Sequence, residues 1–445
     1  MTYTRNRKII LFAAMAGLLI AVGMLQSWSL SLAIVNLCII SAVMSLGVNM
    51  QWGYAGLFNA GIMGFAALGG LAAIIVAMPP VGATWAVGWS GLLISFLIVV
   101  VTIFASVFVY KQAGLDPTIR GLVVGAIVVV GIFAIRAFFL PATTAIELVE
   151  PAKTGYLGGL GLPIILAWPI GGLLAAGAAW VVGRVALGLR ADYLAIATLG
   201  ISEIIVAIMK NEDWLTRGVK NVNGLPRPTP YEVDLQKTPW FVEWANDWGM
   251  TAIEASSIFV KLCYAGLFLT VLLIVLFLSE RALKSPWGRM MRAIRDNEDA
   301  AEAMGKDVKG RHLEVFILGS AVIGIAGAML TTLDGQFTPV SYQPLRFTFL
   351  IWVMVIVGGS GNNFGAVLGG FLIWFAWIEA EPVGNWLIDV LTSGMAADNA
   401  LRLHLLDSAI YMRPITMGLV LLLVLRFSPR GLIPEESGGS GPRRG

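Results

Sequence analysis

Residues 285–311 read SPWGRMMRAIRDNEDAAEAMGKDVKGR, and they separate apolar segments that are each long enough to cross a bilayer. Six basic residues (Arg289, Arg292, Arg295, Lys306, Lys309, Arg311) stand against five acidic ones (Asp296, Glu298, Asp299, Glu302, Asp307). A run so charged is solvated, and what flanks it is not. Within the run Met290, Ile294, Ala301 and Met304 recur at spacings of four, seven and three, which predicts one apolar face on a helix. Gly305 then suits a helix end, because a left-handed residue without a Cβ carries no steric penalty. The competing reading of this periodicity is an ordinary solvated loop with some helix.

The whole composition points the same way. Of 445 residues, 58% are apolar and 13% charged, so water is not the solvent for most of the surface. In lipid each segment must satisfy its own backbone hydrogen bonds, which predicts an all-α polytopic integral membrane protein. The longest polar stretch, residues 211–256, is too short for a soluble domain with a sizeable core. The expected organisation is one transmembrane domain over 1–432, with a cytoplasmic loop at 285–312 and an extracytoplasmic loop at 211–256. A flexible tail over 433–445 is expected after it.

Net charge is only +3, and nothing suggests nucleic acid. Its placement is more telling: Arg5, Arg7 and Lys8, Arg184 and Arg190, the central loop, and Arg426 and Arg430 are all predicted to be cytoplasmic, and both termini with them. Cys38 and Cys263 lie inside apolar runs, which argues for neither a disulfide nor a metal, and no cofactor is signalled. The first apolar run lacks an A-x-A cleavage site and leads straight into a second, so it reads as a membrane helix.

Along the chain, spans are predicted at 9–25 and 30–48, with a hairpin at 26–29. GYAGLFNAGIMGFAALGG (53–70) follows, its glycines marking either close helix approach or a broken helix beside a cavity. Further spans are expected at 89–110, 121–140 and 163–182, with 111–120 as a short inside loop. ALGLRADYLAIATLGISEIIVAIM (186–209) carries Asp192, Thr198 and Glu203 into an apolar stretch, and intramembrane acids face protein or water. Spans at 258–278 and 313–330, short ones at 347–357 and 364–377 around GGSGNN, and one at 410–425 complete about 10 to 12 segments.

Gly53-x-x-Gly56 and Gly358-x-x-Gly361 echo each other: each ends an apolar run, precedes an asparagine (Asn59, Asn362) and leads into a glycine-spaced helix. Two interrupted segments in corresponding halves point to a substrate path, with Gly56, Asn59, Gly61, Gly359, Gly361 and Asn362 as its candidates. Asn59 and Asn362 are expected to face a water-accessible cavity. Glycines serving only helix packing are the alternative.

Asp299-Ala300-Ala301 followed by Gly305 resembles the E-A-A-x-x-x-G coupling motif of ABC importer permeases, with Asp in place of the first Glu. SPWGRMMRAIRDNEDAAEAMG, VIVGGSGNNFGAVLGG (355–370) and RFSPRGLIPE (426–435) resemble the branched-chain (hydrophobic) amino acid permeases of that class. The resemblance covers residues 47–78 and 186–432. It implies that Asp299, Ala300, Ala301, Met304 and Gly305 dock a cytoplasmic ATPase. It further implies two such ATP-binding subunits, a second related permease in a heterodimer, a soluble extracytoplasmic substrate-binding protein and a bacterial-type inner membrane. The implied substrate is an amino acid with an apolar side chain; urea or short amides fit related permeases. Family members typically have one span between the glycine-rich segment and the next motif, so two of the three spans over 89–182 read as an inserted hairpin.

Two other classes remain in view. A self-contained carrier driven by an ion gradient would need acids in the membrane, and Asp192 and Glu203 are the candidates; Asp192, beside the charged turn at 184–190, reads better as interfacial. A membrane enzyme is disfavoured, because His312 and His404 are the only histidines and no nucleophile or metal constellation can be assembled. No G-x-x-x-x-G-K-[ST] motif occurs, so an ATPase must be another chain.

Overall fold

The computed structural model describes residues 2–112, 116–395 and 399–435. Its apolar runs are helices. The first is α1 (Thr2–Leu25), which turns at Ser27 into α2 (Trp28–Val48); Ser27 caps that helix by accepting from the Ser29 N–H at 3.2 Å. Next come α3 (Ile62–Ala77), α4 (Gly82–Lys111), α5 (Pro117–Glu147), α6 (Ala167–Ala186) and α7 (Ala191–Asn211). The polar stretch after α7 is folded rather than loose. It holds α8 (Asp213–Thr216), strand β1 (Val222–Asn223), α9 (Glu232–Lys237) and α10 (Pro239–Asp247), with Phe241 and Ala245 buried.

The chain then returns through α11 (Ala252–Lys284) to the charged segment, which forms α12 (Pro286–Asp296) and α13 (Glu298–Ala303). After it run α14 (Val308–Asp334), strand β2 (Gln336–Phe337), α15 (Pro344–Gly358), α16 (Asn363–Leu391), α17 (Ala400–Asp407) and α18 (Met412–Phe427). Strand β2 pairs antiparallel with β1, Val222 opposite Phe337. Among the described residues ten helices are long and apolar enough to cross a membrane, and two shorter apolar ones accompany them. The chain is therefore an all-α multi-pass membrane protein. Helix α16 runs well past residue 377, where the sequence placed its end, so the pair around GGSGNN is one short arm and one long.

Helix α14 is the axis of the bundle, packed on α2, α3 and α6. Missing side chains let it come this close: a Cβ on Gly319 would strike the Gly47 carbonyl, one on Gly324 the Gly171 carbonyl, and one on Gly327 the Ala66 carbonyl. Helices α4 and α5 lie apart, packed mainly on each other, and meet the rest at one end through α8 and the Tyr156–Leu157 turn. Their outward faces are mostly Leu, Val, Ile and Phe, with Arg136 exposed on α5, and this outlying position fits an added pair of spans.

The expected tail starts too early. Ile433 is buried, its N–H donating to the Gly358 carbonyl at 2.9 Å, and Leu432 does the same to Val357 at 2.8 Å. Residues 436–445 of that tail, and 113–115 of the predicted loop 111–120, lie outside the described residues.

Candidate functional site

Both glycine-rich segments are breaks in helices, and they meet. Helix α2 widens into a π-turn, Asn49–Tyr54, then Gly56 turns the chain at φ +72° and an extended stretch leads to α3. At the second break α15 stops at Gly358, Gly359 and Gly361 take φ +117° and +81°, and Asn362 caps α16 through its Oδ1, which accepts from Phe364 N at 3.0 Å and Gly365 N at 3.2 Å. A buried amide network ties the breaks together. Asn49 Oδ1 accepts the Gly361 N–H at 2.8 Å, and Asn49 Nδ2 donates to Asn363 Oδ1 at 3.1 Å. Asn363 also accepts from the Tyr54 hydroxyl and donates to Glu280 at 3.0 Å.

The candidate path residues divide within this arrangement. Asn59 is 0% exposed. Its Nδ2 donates to Gln51 Oε1 at 2.9 Å, its Oδ1 accepts Gly61 N–H at 2.8 Å, and its carbonyl accepts the Trp352 indole N–H at 3.1 Å. Asn362 is buried too, its Nδ2 on the Pro434 carbonyl at 3.0 Å. Asn59 therefore has its amide taken up by the protein itself, whereas Asn362 also borders a polar cavity of about 230 Å³ together with Glu280, Arg292, Gly361 and Glu435; an extended break leaves backbone groups without helical partners, and the nearest amides satisfy them. Gly61 lies against the Thr198 carbonyl and Gly359 against that of Ile433, each where a Cβ would collide. Gly56 is exposed, with Arg295 across from it. Glycines thus serve the breaks here and close packing along α14.

The charged segment is two helices, not one. Ser285 caps α12 with Pro286 in its first turn, and Asn297 ends α12 and caps α13, its Oδ1 accepting from Ala300 N–H at 2.9 Å. Glu298 and Asp299 sit in the first turn of α13, where carboxylates favour the positive helix end. At the far end Gly305 takes φ +75°, and its N–H and that of Lys306 bond back to the Glu302 and Ala301 carbonyls at 2.8 and 3.1 Å, closing the helix as foreseen. The bend at Asn297 folds the expected flat face into a groove of about 680 Å³, lined by Trp287, Met290, Ile294, Ala300, Ala301 and Met304 among others. Ile294 turns its side chain inward beside Met291, while Met304 stands 79% exposed. Trp287, donating to Glu314 at 3.1 Å, anchors the segment to α14.

Arg295, in the last turn of α12, joins this segment to the breaks. Its guanidinium donates to the Gly53 carbonyl, pairs with Glu435 at 3.0 Å and Asp296 at 3.2 Å, and lies over Gly361. Sequence reading passed over Arg295 as one of six bases, and over Asn49, Tyr54, Asn363 and Glu435. For Asn49 and Asn363 a signal was present, since both amides abut the glycine runs. Among the described residues no cluster of His, Cys, Asp or Glu could hold a metal.

A bundle of spans with two facing broken helices and a folded polar segment beside them has the build of a membrane permease. A family model described as branched-chain amino acid transport system / permease component matches residues 120–425, and the chain belongs to that family. It is 31% identical over 252 residues to the high-affinity branched-chain amino acid transport system permease protein LivM of Escherichia coli (strain K12), a match covering 56% of this chain and 58% of the relative. The match thus spans little more than half the length of that relative. A probable branched-chain amino acid transport permease protein LivM of Methanocaldococcus jannaschii is 27% identical over 328 residues, 71% of this chain and 84% of the relative. A probable LivH permease of the same organism matches more narrowly, 31% identical over 110 residues, 24% of this chain and 34% of the relative. These relatives are named as transport permeases, not enzymes. No solved structure matches.

Proposed function

We propose that the chain is the membrane-spanning permease subunit of an ABC importer, passing branched-chain or other apolar amino acids inward under the drive of a separate ATPase docked on residues 285–311. The observation that carries this reading is Arg295, which links the charged segment to the first break at Gly53 and to Glu435 beside the second. A connecting loop needs no such grip; a segment that transmits force to a gate does. The groove between α12 and α13 takes a projecting side chain or helix end of the ATPase, with Ala300 and Ala301 permitting close approach, Met304 as apolar contact, Asp299 pairing with a base across the interface and Gly305 setting the turn.

The path passes the two breaks, where Gly56, Gly61, Gly359 and Gly361 keep backbone close and unencumbered, and Asn59 and Asn362 hold the strands open. Backbone dipoles at broken helix ends suit the two charges of a zwitterion. The partners are two cytoplasmic ATP-binding subunits, a second related permease and a soluble extracytoplasmic binding protein. The existence of relatives named LivM and LivH favours a heterodimer. Residues 285–312 and both termini face the cytoplasm of a bacterial-type inner membrane, residues 211–256 face outward, and the permease domain runs from the start of the chain to Glu435.

The test is reconstitution of the permease with its ATPase, second permease and binding protein in lipid vesicles. Substrate-stimulated ATP hydrolysis with uptake supports the reading; uptake by the permease alone, driven by an ion gradient, replaces it with a secondary carrier.

A further inference from the structure

A second cavity of about 230 Å³, apolar where the one beside Asn362 is polar, is surrounded by α2, α3, α14, α15 and α16. Ile40 and Met44 of α2, Met63 of α3, and Phe347, Ile351 and Met354 of α15 make most of its wall. Its inner end is close to both breaks: Met44 stands five residues before Asn49 and Met354 four before Gly358, about 6–8 Å at 1.5 Å per residue. Its outer end is marked by Asp334, the last residue of α14, and by Ser341 in the turn that follows β2. The cavity therefore leads from the end of α14 away from the charged segment down toward the breaks.

Two groups lining it are left unsatisfied by the fold, and they are of opposite kinds. Asp334 makes no hydrogen bond or ion pair among the described residues, and it sits at the carbonyl end of α14, where the helix dipole disfavours a negative charge. The Trp374 indole Nε1 is buried and has no acceptor among the described residues, an arrangement that folded proteins mostly avoid. One side of the cavity thus lacks a cation and another lacks an anion, and Ser41 adds a hydroxyl on α2. A zwitterion with an apolar side chain supplies all that is missing: an ammonium for Asp334, a carboxylate for the indole N–H, and hydrocarbon for the wall. A lipid tail would fill the wall and leave both polar groups as they are. Size agrees as well. An apolar cavity of roughly 150 Å³ takes benzene, with six heavy atoms, so 230 Å³ has room for about nine, the number in leucine or isoleucine.

Resting on the permease reading, we propose that this cavity is a binding site for the transported amino acid, outward of the breaks. Asp334 takes the ammonium, the Trp374 indole N–H the carboxylate, and Met44, Met63, Ile351 and Met354 surround the side chain. The permease then selects by side-chain size and polarity on its own account, before the breaks open, and does not leave selection to the binding protein alone.

Equilibrium binding of radiolabelled leucine to the assembled importer in lipid discs, without ATP and without the binding protein, tests this. Binding is expected to saturate, to be competed by isoleucine and to be unaffected by glutamate. Asp334→Asn is expected to weaken it at least tenfold, and Trp374→Phe, which keeps a ring and loses the N–H, about fivefold. Ile351→Trp, which fills the cavity, should abolish it. The analogue 4-methylpentanoate, which lacks the ammonium, should compete weakly and to the same extent in the parent and in Asp334→Asn. Absence of saturable leucine binding, or equal leucine affinity in the parent, Asp334→Asn and Trp374→Phe, overturns the proposal; should Ile351→Trp fail to fold, the two near-isosteric variants still decide. Failure of the unaltered assembly to couple ATP hydrolysis to uptake would strike the permease reading instead, and the binding result, read without ATP, would stand apart from it.

Discussion

The Arg295 guanidinium stands 3.0 Å from the Glu435 carboxylate while also donating to the Gly53 carbonyl, so one side chain joins α12, the first break and the C-terminal segment. Charge-assisted hydrogen bonds of this kind are worth on the order of 1.5–3 kcal/mol when only partly exposed. Arg295→Gln is expected to lower substrate-driven uptake at least tenfold while the ATPase still co-purifies with the permease. Glu435→Gln, which leaves the Gly53 contact, should have a smaller effect. Loss of ATPase binding in Arg295→Gln would mean that the residue shapes the docking surface rather than the link behind it.

Ala301 lines the groove between α12 and α13, and a charge placed there would lose water when a partner fills the groove, at a cost of a few kcal/mol. Ala301→Glu is expected to weaken ATPase association at least a hundredfold in a binding titration, with the thermal unfolding of the isolated permease unchanged. Unaltered association would remove the groove from the docking surface.

Gly305 at φ +75° ends α13 with open space around it, so a substitution there acts through the backbone alone. Gly305→Val should raise the protease sensitivity of residues 297–307, because a β-branched residue in this region costs about 1–3 kcal/mol. Gly305→Asn, which tolerates the conformation, should behave close to the parent. The two variants separating in this order, with membrane insertion equal, is the check.

Asn49 satisfies Gly361 and Asn363 at once, both inside the protein. Asn49→Leu leaves buried polar groups unpaired at about 1–3 kcal/mol each and is expected to lower the midpoint of thermal unfolding in detergent by several degrees. Asn59→Leu should do likewise, since Gln51 and the Gly61 N–H lose their partner. Were Asn59→Leu to slow transport with no loss of stability, the amide would belong to the path rather than to its frame.

Much of this architecture is legible in the sequence because membrane segments obey a local rule. Runs of apolar residues become helices wherever they occur, so the spans, the turn at Ser27 and the helix end at Gly305 follow from residues close by. What escaped reading is what depends on distant partners. Asn297 looks like one polar residue among many until it caps α13 and bends the segment. Asn59 looks like lining for a cavity until the first break folds and requires its hydrogen bonds. Arg295 can be singled out only when Gly53, 242 positions away, is brought beneath it. The echo between the glycine runs was readable; that the two runs touch was not, since contact between remote segments leaves no periodicity behind.

The return of Leu432 and Ile433 onto the second break has a consequence for how the protein is made. The carbonyls of Val357 and Gly358, and the Arg295 guanidinium, receive partners that leave the ribosome more than seventy residues after the break itself. Until then the junction between the charged segment and the two breaks is unfinished, although most spans have already been inserted. A chain halted after α18 would therefore reach the membrane with its helices in place and that junction unclosed, so the junction closes later than the spans it joins.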